Sequence, residues 1–175
     1  RVQGELLMIA LPYGREALLF DEAGASVLRS RVAQLRSDRP GRDIVEAAMA
    51  QPIGSEPLAG LARGKKTCTI IISDHTRPVP SRDILPPMLH QLREGNPDID
   101  ITLLVATGFH RGTTQEELRA KLGGEIFQNE RIVIHDCRDA AANVAIGTLP
   151  SGAPCVIDRV AAETDLLVAE GFIEP

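Results

Sequence analysis

At 175 residues, with 43% hydrophobic and 25% charged side chains, the chain is long enough to bury one sizeable core and has the composition of an ordinary globular domain. Its net charge of −5, without a Lys/Arg-rich block and interleaved aromatic residues, argues against nucleic acid as a partner. No apolar run approaches the roughly 20 residues of a membrane span, and the first residues lack the pattern of a signal peptide, so we expect no membrane partner.

The cysteines indicate the compartment. Cys68, Cys137 and Cys155 are odd in number, widely spaced and form no CxxC motif. This usage suits a reducing environment better than a disulfide framework. We therefore expect a cytoplasmic protein.

The first third of the chain carries short and mixed signals of secondary structure. A turn signal at residues 12–14, between two apolar runs, predicts a β-hairpin. Leu28, Val32 and Leu35 have helical spacing, but over a short stretch. The apolar runs are 6–10 and 16–20, and helical segments are predicted at 43–49 and 58–62.

From residue 67 onward, apolar β-branched runs alternate with helical patterns. Ser81 is a suitable N-cap for a helix that reaches Gly95, and Thr113 or Thr114 for a helix that ends at Gly123-Gly124. This alternation predicts the α/β class, with a mixed, mostly parallel sheet and helices packed on it in a Rossmann-like arrangement. The predicted strands are 67–72, 101–105, 132–134, 143–149, 155–157 and 166–169, with a hairpin-like turn at 150–154.

Three successive predicted strands end in polar groups that contain a histidine. These groups are residues 74–77, 108–111 and 135–136. The carboxyl ends of parallel strands lie along one edge of a sheet, where open α/β folds bind their ligands. An imidazole can take and return protons near neutral pH, and a guanidinium grips a carboxylate or phosphate at two points. The sequence therefore predicts a crevice with acid/base and anion-binding groups.

Plainer interpretations compete for most of these residues. Asp74 and Arg77 could pair locally in an ordinary turn, and His75 could point away from the crevice because neighbours on an extended chain alternate sides. His135 and Asp136 could be an ordinary strand-end pair. His110 is the strongest single candidate, because glycines and an arginine flank it on a loop. Dinucleotide, P-loop, GxSxG and HExxH motifs are absent from the sequence.

Three segments, in order, resemble the amino-terminal domain of the lactate racemase family, the nickel-pincer-dependent 2-hydroxyacid racemases. They are Ser73-Asp74-His75-Thr76-Arg77-Pro78-Val79-Pro80, Ala106-Thr107-Gly108-Phe109-His110-Arg111 and Gly171-Phe172-Ile173-Glu174-Pro175. The resemblance covers most of the chain, and the first two motifs are specific. Phe109 stands where relatives often carry threonine, a difference that bears on substrate preference and leaves the expected fold unchanged.

The resemblance implies an isomerase that inverts the hydroxyl-bearing carbon of a small 2-hydroxy acid. The implied cofactor is a nickel pincer nucleotide, nickel pyridinium-3,5-bisthiocarboxylic acid mononucleotide, which takes the substrate hydride transiently and returns it to either face of a planar 2-keto acid. One base on each face must take and return the hydroxyl proton. His110 corresponds to one of the family's two catalytic histidines.

The resemblance also implies a set of binding residues and no metal ligand within this chain. Arg77 is expected to hold an anion, either the substrate carboxylate or the cofactor phosphate, and Asp74 to orient polar groups beside it. The full expected set for substrate or cofactor binding is Ser73, Asp74, His75, Thr76, Arg77 and Arg111.

The family pattern continues, after Gly-x-Ile-Glu-Pro, with a histidine, a Ser-Gly-Gly-x-Lys segment and a later nickel-ligating histidine. None of these lies in the 175 residues. We therefore expect residues 1–175 to be a truncated amino-terminal domain of a two-domain enzyme. Alone it is expected to hold no nickel tightly and to be inactive.

Two other functions remain open at this point. One is a non-catalytic anion- or nucleotide-binding α/β module that keeps the arginine loop. The other is an unrelated α/β hydrolase or transferase that uses the crevice around His110 without nickel, although the missing nucleophile elbow disfavours it. The sequence does not indicate which hydroxy acid is bound or what the oligomeric state is.

Overall fold

The computed structural model describes residues 8–21, 23, 25, 26, 28, 30–35 and 37–172. The chain divides into two compact units, with the boundary between Asp38 and Arg39.

The first unit contains a β-hairpin. Strands β1 (Met8–Tyr13) and β2 (Glu16–Asp21) pair antiparallel, with Tyr13 opposite Glu16. Gly14, at a φ of +62°, adopts the left-handed conformation that so tight a turn requires. The predicted hairpin is confirmed, although residues 6 and 7 of its first apolar run lie outside the described residues.

The helical spacing of Leu28, Val32 and Leu35 produces only one short turn. It is a 3-10 helix, Arg31–Gln34, in which the Ser30 hydroxyl accepts a hydrogen bond from the Val32 backbone N–H at 3.1 Å. All three of these apolar side chains are exposed. A longer helix would therefore gain little from burial, which is the main source of helix stability in proteins.

The second unit is built on a four-stranded sheet in which every neighbouring pair is parallel. The predicted α/β class is confirmed, and the strands at 143–148 and 154–158 form a separate antiparallel hairpin. From one side of the sheet to the other, its strands are Arg131–Ile134, Asp100–Ala106, Thr67–Ser73 and Leu166–Ala169. In chain order the elements are α1 (Gly41–Ala50), α2 (Leu58–Ala62), β3 (Thr67–Ser73), α3 (Ser81–Gly95), β4 (Asp100–Ala106), α4 (Gln115–Leu122), α5 (Gly124–Asn129), β5 (Arg131–Ile134), β6 (Asn143–Thr148), β7 (Pro154–Asp158), α6 (Arg159–Ala162) and β8 (Leu166–Ala169).

The core lies between the two central strands and the helices that pack on them. The inner residues of β3 and β4 are almost continuously buried, as is typical of strands covered on both faces of a parallel sheet. Burial of each large aliphatic side chain contributes roughly 1.5–3 kcal/mol to folding. The fully buried large side chains include Ile70, Ile72, Leu85, Leu92, Leu103, Val105 and Leu118.

The predicted start of α4 is confirmed, whereas the predicted start of α3 is wrong. Thr114 caps α4 through a capping box, in which its hydroxyl accepts from the Glu117 N–H and the Glu117 carboxylate accepts from the Thr114 N–H. Ser81 is instead the first residue of α3, after Pro80, and its hydroxyl donates to Glu170 Oε1 at 2.5 Å. The hydroxyl is thus used for a long-range contact and not for a cap.

Two short helices were not predicted from the sequence. Gly123, at a φ of +85°, ends α4 as expected, but Gly124 begins α5 directly. α6 is only four residues long, and it begins because Asp158 accepts a hydrogen bond from the Val160 N–H. A helix of one or two turns is too short to show a clear 3.6-residue apolar period.

Gly95 provides a test of how tightly α3 packs on α2. A Cβ atom added at Gly95 would lie 2.0 Å from the backbone oxygen of Ala59, whereas a Cβ at Gly124 would meet nothing within 4 Å. We expect Gly95→Ala to destabilise the protein by about 1–3 kcal/mol, the usual result of overpacking. Gly124→Ala, the matched control, should leave the thermal unfolding midpoint unchanged or slightly raised. Equal midpoints for the two variants would contradict the close approach of α2 and α3.

Candidate active site

Register brings the ends of the four parallel strands to one edge of the sheet. Ser73 lies opposite Ala106 and Ile71 opposite Ala169, so that the residues just after β3, β4 and β8 are neighbours. A crevice of about 460 Å³ opens at this edge. Its polar lining is formed mainly by Ser73, Asp74, Thr76, Arg77, His110 and Glu170.

A short side-chain contact in the crevice joins Asp74 and His110. His110 Nδ1 lies 2.6 Å from Asp74 Oδ2. The Asp74 side chain is only 3% exposed, whereas the His110 side chain is 49% exposed. Since an ionised carboxylate can only accept hydrogen bonds, the neutral imidazole carries its hydrogen on Nδ1 and leaves Nε2 as a base.

The second oxygen of Asp74 is also satisfied. The backbone N–H and the hydroxyl of Thr76 both donate to Asp74 Oδ1, at 3.0 and 2.6 Å. Burial raises the pKa of Asp74, but the hydrogen bonds from Thr76 and His110 outweigh burial and hold this pKa below its ordinary value. Asp74 is therefore a stable anion near neutral pH.

The loop that carries His110 is held by the end of β4. The His110 N–H donates to the Thr107 carbonyl at 3.0 Å, and the Thr107 hydroxyl donates to the His135 carbonyl at 2.6 Å. Gly108 permits this turn with a φ of +56°. Phe109, at the tip, is 86% exposed and borders the crevice.

Arg77 lies on the same loop as Asp74, and its side chain is exposed. Its Nη1 is 3.4 Å from the Thr76 hydroxyl, and its backbone carbonyl accepts a hydrogen bond from Lys121 Nζ at 3.3 Å. Burial lowers the pKa of Lys121. The loop is thus fixed to α4 through its backbone, which leaves the Arg77 guanidinium at the border of the crevice.

Two polar atoms in the crevice are buried without a hydrogen-bond partner among the described residues. They are the Ser73 hydroxyl oxygen and Glu170 Oε2. Burial raises the pKa of Glu170, against the opposing effects of the Ser81 hydrogen bond, the Lys121 charge and a hydrogen bond from the Ser73 backbone. Buried polar atoms of this kind are rare in folded proteins and mark a place where a ligand or water completes the site.

His75 and Arg111 each follow a member of the Asp74–His110 pair, and both contact the start of α4. His75 Nδ1 lies 3.2 Å from the Thr113 hydroxyl and 3.8 Å from Glu117 Oε2. Arg111 forms a two-point ion pair with Glu117, at 2.6 and 2.9 Å. His75 therefore faces a second cleft, of about 670 Å³, on the α4 side of the loop.

His135 belongs to a different contact from the crevice. Its Nδ1 lies 3.0 Å from Asp158 Oδ2, at the start of α6, while Asp136 accepts a turn hydrogen bond from the Arg138 N–H. Among the described residues, His110 is thus the one strand-end histidine that contacts Asp74. His75 contacts the start of α4, and His135 contacts Asp158. His90 is exposed on α3.

Sequence reasoning missed Glu170 and Glu117. Glu170 directly follows the predicted strand 166–169, so the rule that flagged the other strand ends would also have flagged it. Glu117 gave no signal as a site residue, because its partner Arg111 lies six residues away along a loop.

The described residues offer no group of three or more His, Cys, Asp or Glu side chains that could hold a metal ion. In the same residues, no helix is both long and apolar enough to cross a membrane.

Residues 13–175 match the family described as the lactate racemase N-terminal domain. The lactate racemase of Thermoanaerobacterium thermosaccharolyticum is 48% identical over 170 residues, which cover 95% of this chain and 40% of the relative. That of Lactiplantibacillus plantarum is 48% identical over 172 residues, covering 97% of this chain and 41% of the relative.

Solved structures agree with this assignment. The lactate racemase apoprotein from T. thermosaccharolyticum superimposes with a TM-score of 0.81 at 48% identity, over 97% of this chain and 40% of that one. A Thermotoga maritima protein shares the fold at 19% identity, with a TM-score of 0.55 over 77% of this chain and 34% of that one. The chain spans about two fifths of the length of the curated relatives it matches. The chain belongs to the lactate racemase N-terminal domain family.

Proposed function

We propose that the full-length protein is a racemase or epimerase that inverts the C2 carbon of a small 2-hydroxy acid, and that this domain supplies one acid/base group and part of the anion site. The observation that carries the proposal is the 2.6 Å hydrogen bond between His110 and the buried Asp74, in a crevice that Arg77 borders. The naming of two relatives as lactate racemases supports it.

His110 acts as the acid/base on one face of the substrate. Inversion at C2 requires that the hydroxyl proton leave when the carbon loses its hydride and return afterwards. His110 Nε2 takes this proton, and the Asp74 carboxylate stabilises the imidazolium that forms. A half-exposed imidazole on a buried, charged partner has both the access and the fixed orientation that this role needs.

Arg77 holds an anion beside this base. Its guanidinium is exposed, and among the described residues the contact that a side chain makes with it is the long one to Thr76, so its planar fork is available to a carboxylate or a phosphate. The anion is either the carboxylate of the substrate or the phosphate of the cofactor. Ser73 and Thr76 add hydroxyl groups on the same side of the crevice.

The residues present fit the nucleotide part of a nickel pincer nucleotide. The unpartnered Ser73 hydroxyl and the Arg77 guanidinium are the groups that would hold its phosphate or sugar oxygens. The described residues provide no cluster of metal ligands, so we assign the nickel ligands to none of them. When bound, this group would supply an acceptor and donor for the C2 hydride.

The proposal is tested by a chiral assay of the full-length, nickel-loaded protein with each lactate enantiomer separately. We expect either enantiomer to approach the same mixture of the two, through exchange at C2 and without net oxidation. Tight binding of lactate or a nucleotide without interconversion would instead favour the non-catalytic anion-binding module.

Arg77→Lys tests the anion clamp. Lysine keeps the charge and loses the planar two-point grip, so kcat/KM in the full-length enzyme should fall about 10- to 100-fold, the range expected for misplacing a bound group. The control is Arg119→Lys on α4, where the guanidinium lies 5.0 Å from the Phe127 ring centre and a lysine can replace it. Equal kcat/KM for the two variants would exclude the clamp.

His110→Ala tests the acid/base. Turnover should fall by about 10²–10⁴-fold in both directions, the usual contribution of a positioned general acid/base. The unfolding midpoint should change little because His110 is half-exposed on a loop. His90→Ala, which removes an exposed histidine from α3, should keep full turnover. Wild-type turnover in His110→Ala would move the base elsewhere.

A further inference from the structure

The two members of the acid/base pair lie on different loops, and both loops reach the same carboxylate. Asp74 follows β3 and is succeeded by His75, while His110 follows β4 and is succeeded by Arg111. Both successors contact Glu117, in the first turn of α4. Asp74 is thus one residue from His75, which lies 3.8 Å from this carboxylate, and His110 is one residue from Arg111, which is ion-paired with it.

The contacts to Glu117 use both of its oxygens. Oε1 accepts from Arg111 Nη2 at 2.6 Å, and Oε2 accepts from Arg111 Nη1 at 2.9 Å and from the Thr114 N–H at 2.8 Å. His75 Nδ1 lies 3.8 Å from Oε2 and 3.2 Å from the Thr113 hydroxyl. One side chain therefore joins the helix start, the segment after His110 and the segment after Asp74.

The electrostatics of Glu117 match this role. The ion pair with Arg111 and the hydrogen bond from the Thr114 N–H lower the pKa of Glu117 to about 2. The same pair raises the pKa of Arg111. Glu117 and Arg111 therefore both remain charged across the pH range near neutrality in which imidazoles exchange protons. Their ion pair persists whether His110 is neutral or protonated.

We propose that Glu117 is a positioning residue, which holds the loops of Asp74 and His110 in register through His75 and Arg111 and so preserves the geometry of the acid/base pair. The inference rests on the proposed function for its kinetic consequences and on the contacts alone for its structural ones. It also assigns Arg111 a role through Glu117, because both of its terminal nitrogens are already bound to that carboxylate.

If Glu117 did no more than cap α4, a different result would be expected. Glutamine also completes a capping box, since its amide oxygen can accept from the Thr114 N–H as the carboxylate does. Glu117→Gln therefore keeps the start of α4 and removes the charge that holds Arg111 and lies near His75. The control is Glu116→Gln, which removes the same charge from the neighbouring residue in the same helical turn.

In the full-length, nickel-loaded enzyme we expect Glu117→Gln to lower kcat about 10- to 100-fold with KM changed less than about threefold, because positioning and not binding is lost. Glu116→Gln should behave as wild type. Arg111→Met should reproduce the part of the loss that runs through Arg111, and the double variant Glu117→Gln/Arg111→Met should be no worse than Glu117→Gln alone, since both changes remove the contact between these two residues. Additive losses, or a wild-type kcat in Glu117→Gln, would overturn the proposal.

The structural readout does not depend on activity. In the full-length apoprotein, ¹⁵N spectra of labelled histidines should show the Nδ1–H signal of His110 broadened or lost in Glu117→Gln and unchanged in Glu116→Gln. If wild type proves inactive as a racemase, the proposed function fails while this comparison still decides the positioning role. If Glu117→Gln does not fold, Arg111→Met tests the same contact without altering the helix start, and an unchanged His110 signal there would refute it.

Discussion

Removing a carboxylate from water costs several kcal/mol unless hydrogen bonds replace its hydration, and Asp74 is almost fully removed from water. Thr76 satisfies one oxygen twice, through its N–H and its hydroxyl, and His110 satisfies the other. These three contacts form only when the loop after β3 folds tightly around Asp74 and the loop after β4 lies over it. The position of the half-exposed His110 ring is a consequence of that requirement.

The parallel sheet makes this arrangement possible. With Ser73 opposite Ala106, the polar residues that follow β3 and β4 begin at the same height on adjacent strands. β8 lies on the other side of β3 and delivers Glu170 to the same edge. Two hydrogen bonds link helices α3 and α4 to the site. The Ser81 hydroxyl on α3 donates to Glu170, and Lys121 Nζ on α4 donates to the Arg77 carbonyl.

Much of the fold and of the candidate site could be predicted from the sequence, and identifiable physical reasons explain the features that could not. The strand 67–72 was evident from its β-branched run, and the rule that ligands bind at strand ends selected Asp74 and His110 correctly as neighbours. The local pattern, however, suggested Arg77 as the partner of Asp74, whereas the carboxylate binds Thr76 and His110. Pairing between loops depends on strand register, which no local spacing encodes.

Contacts between distant elements account for the other differences. Ser81 had the residue type of a cap, but Glu170, 89 residues away, uses its hydroxyl. His135 shared the strand-end pattern with His110, yet the hairpin of β6 and β7 supplies Asp158 as its partner. Ser81 and His135 resemble site residues locally, and only the tertiary fold separates the Asp74–His110 pair in the crevice from the His135–Asp158 pair.

Whether Asp74 fixes the orientation and tautomer of the His110 ring can be measured directly. The measurement is of ¹⁵N chemical shifts of the full-length protein at a pH where the ring is neutral. The account predicts a hydrogen on Nδ1 and none on Nε2 in wild type, and loss of that preference in Asp74→Asn. A wild-type ring protonated on Nε2, or the same shifts in wild type and Asp74→Asn, would contradict the claim that Asp74 orients the base.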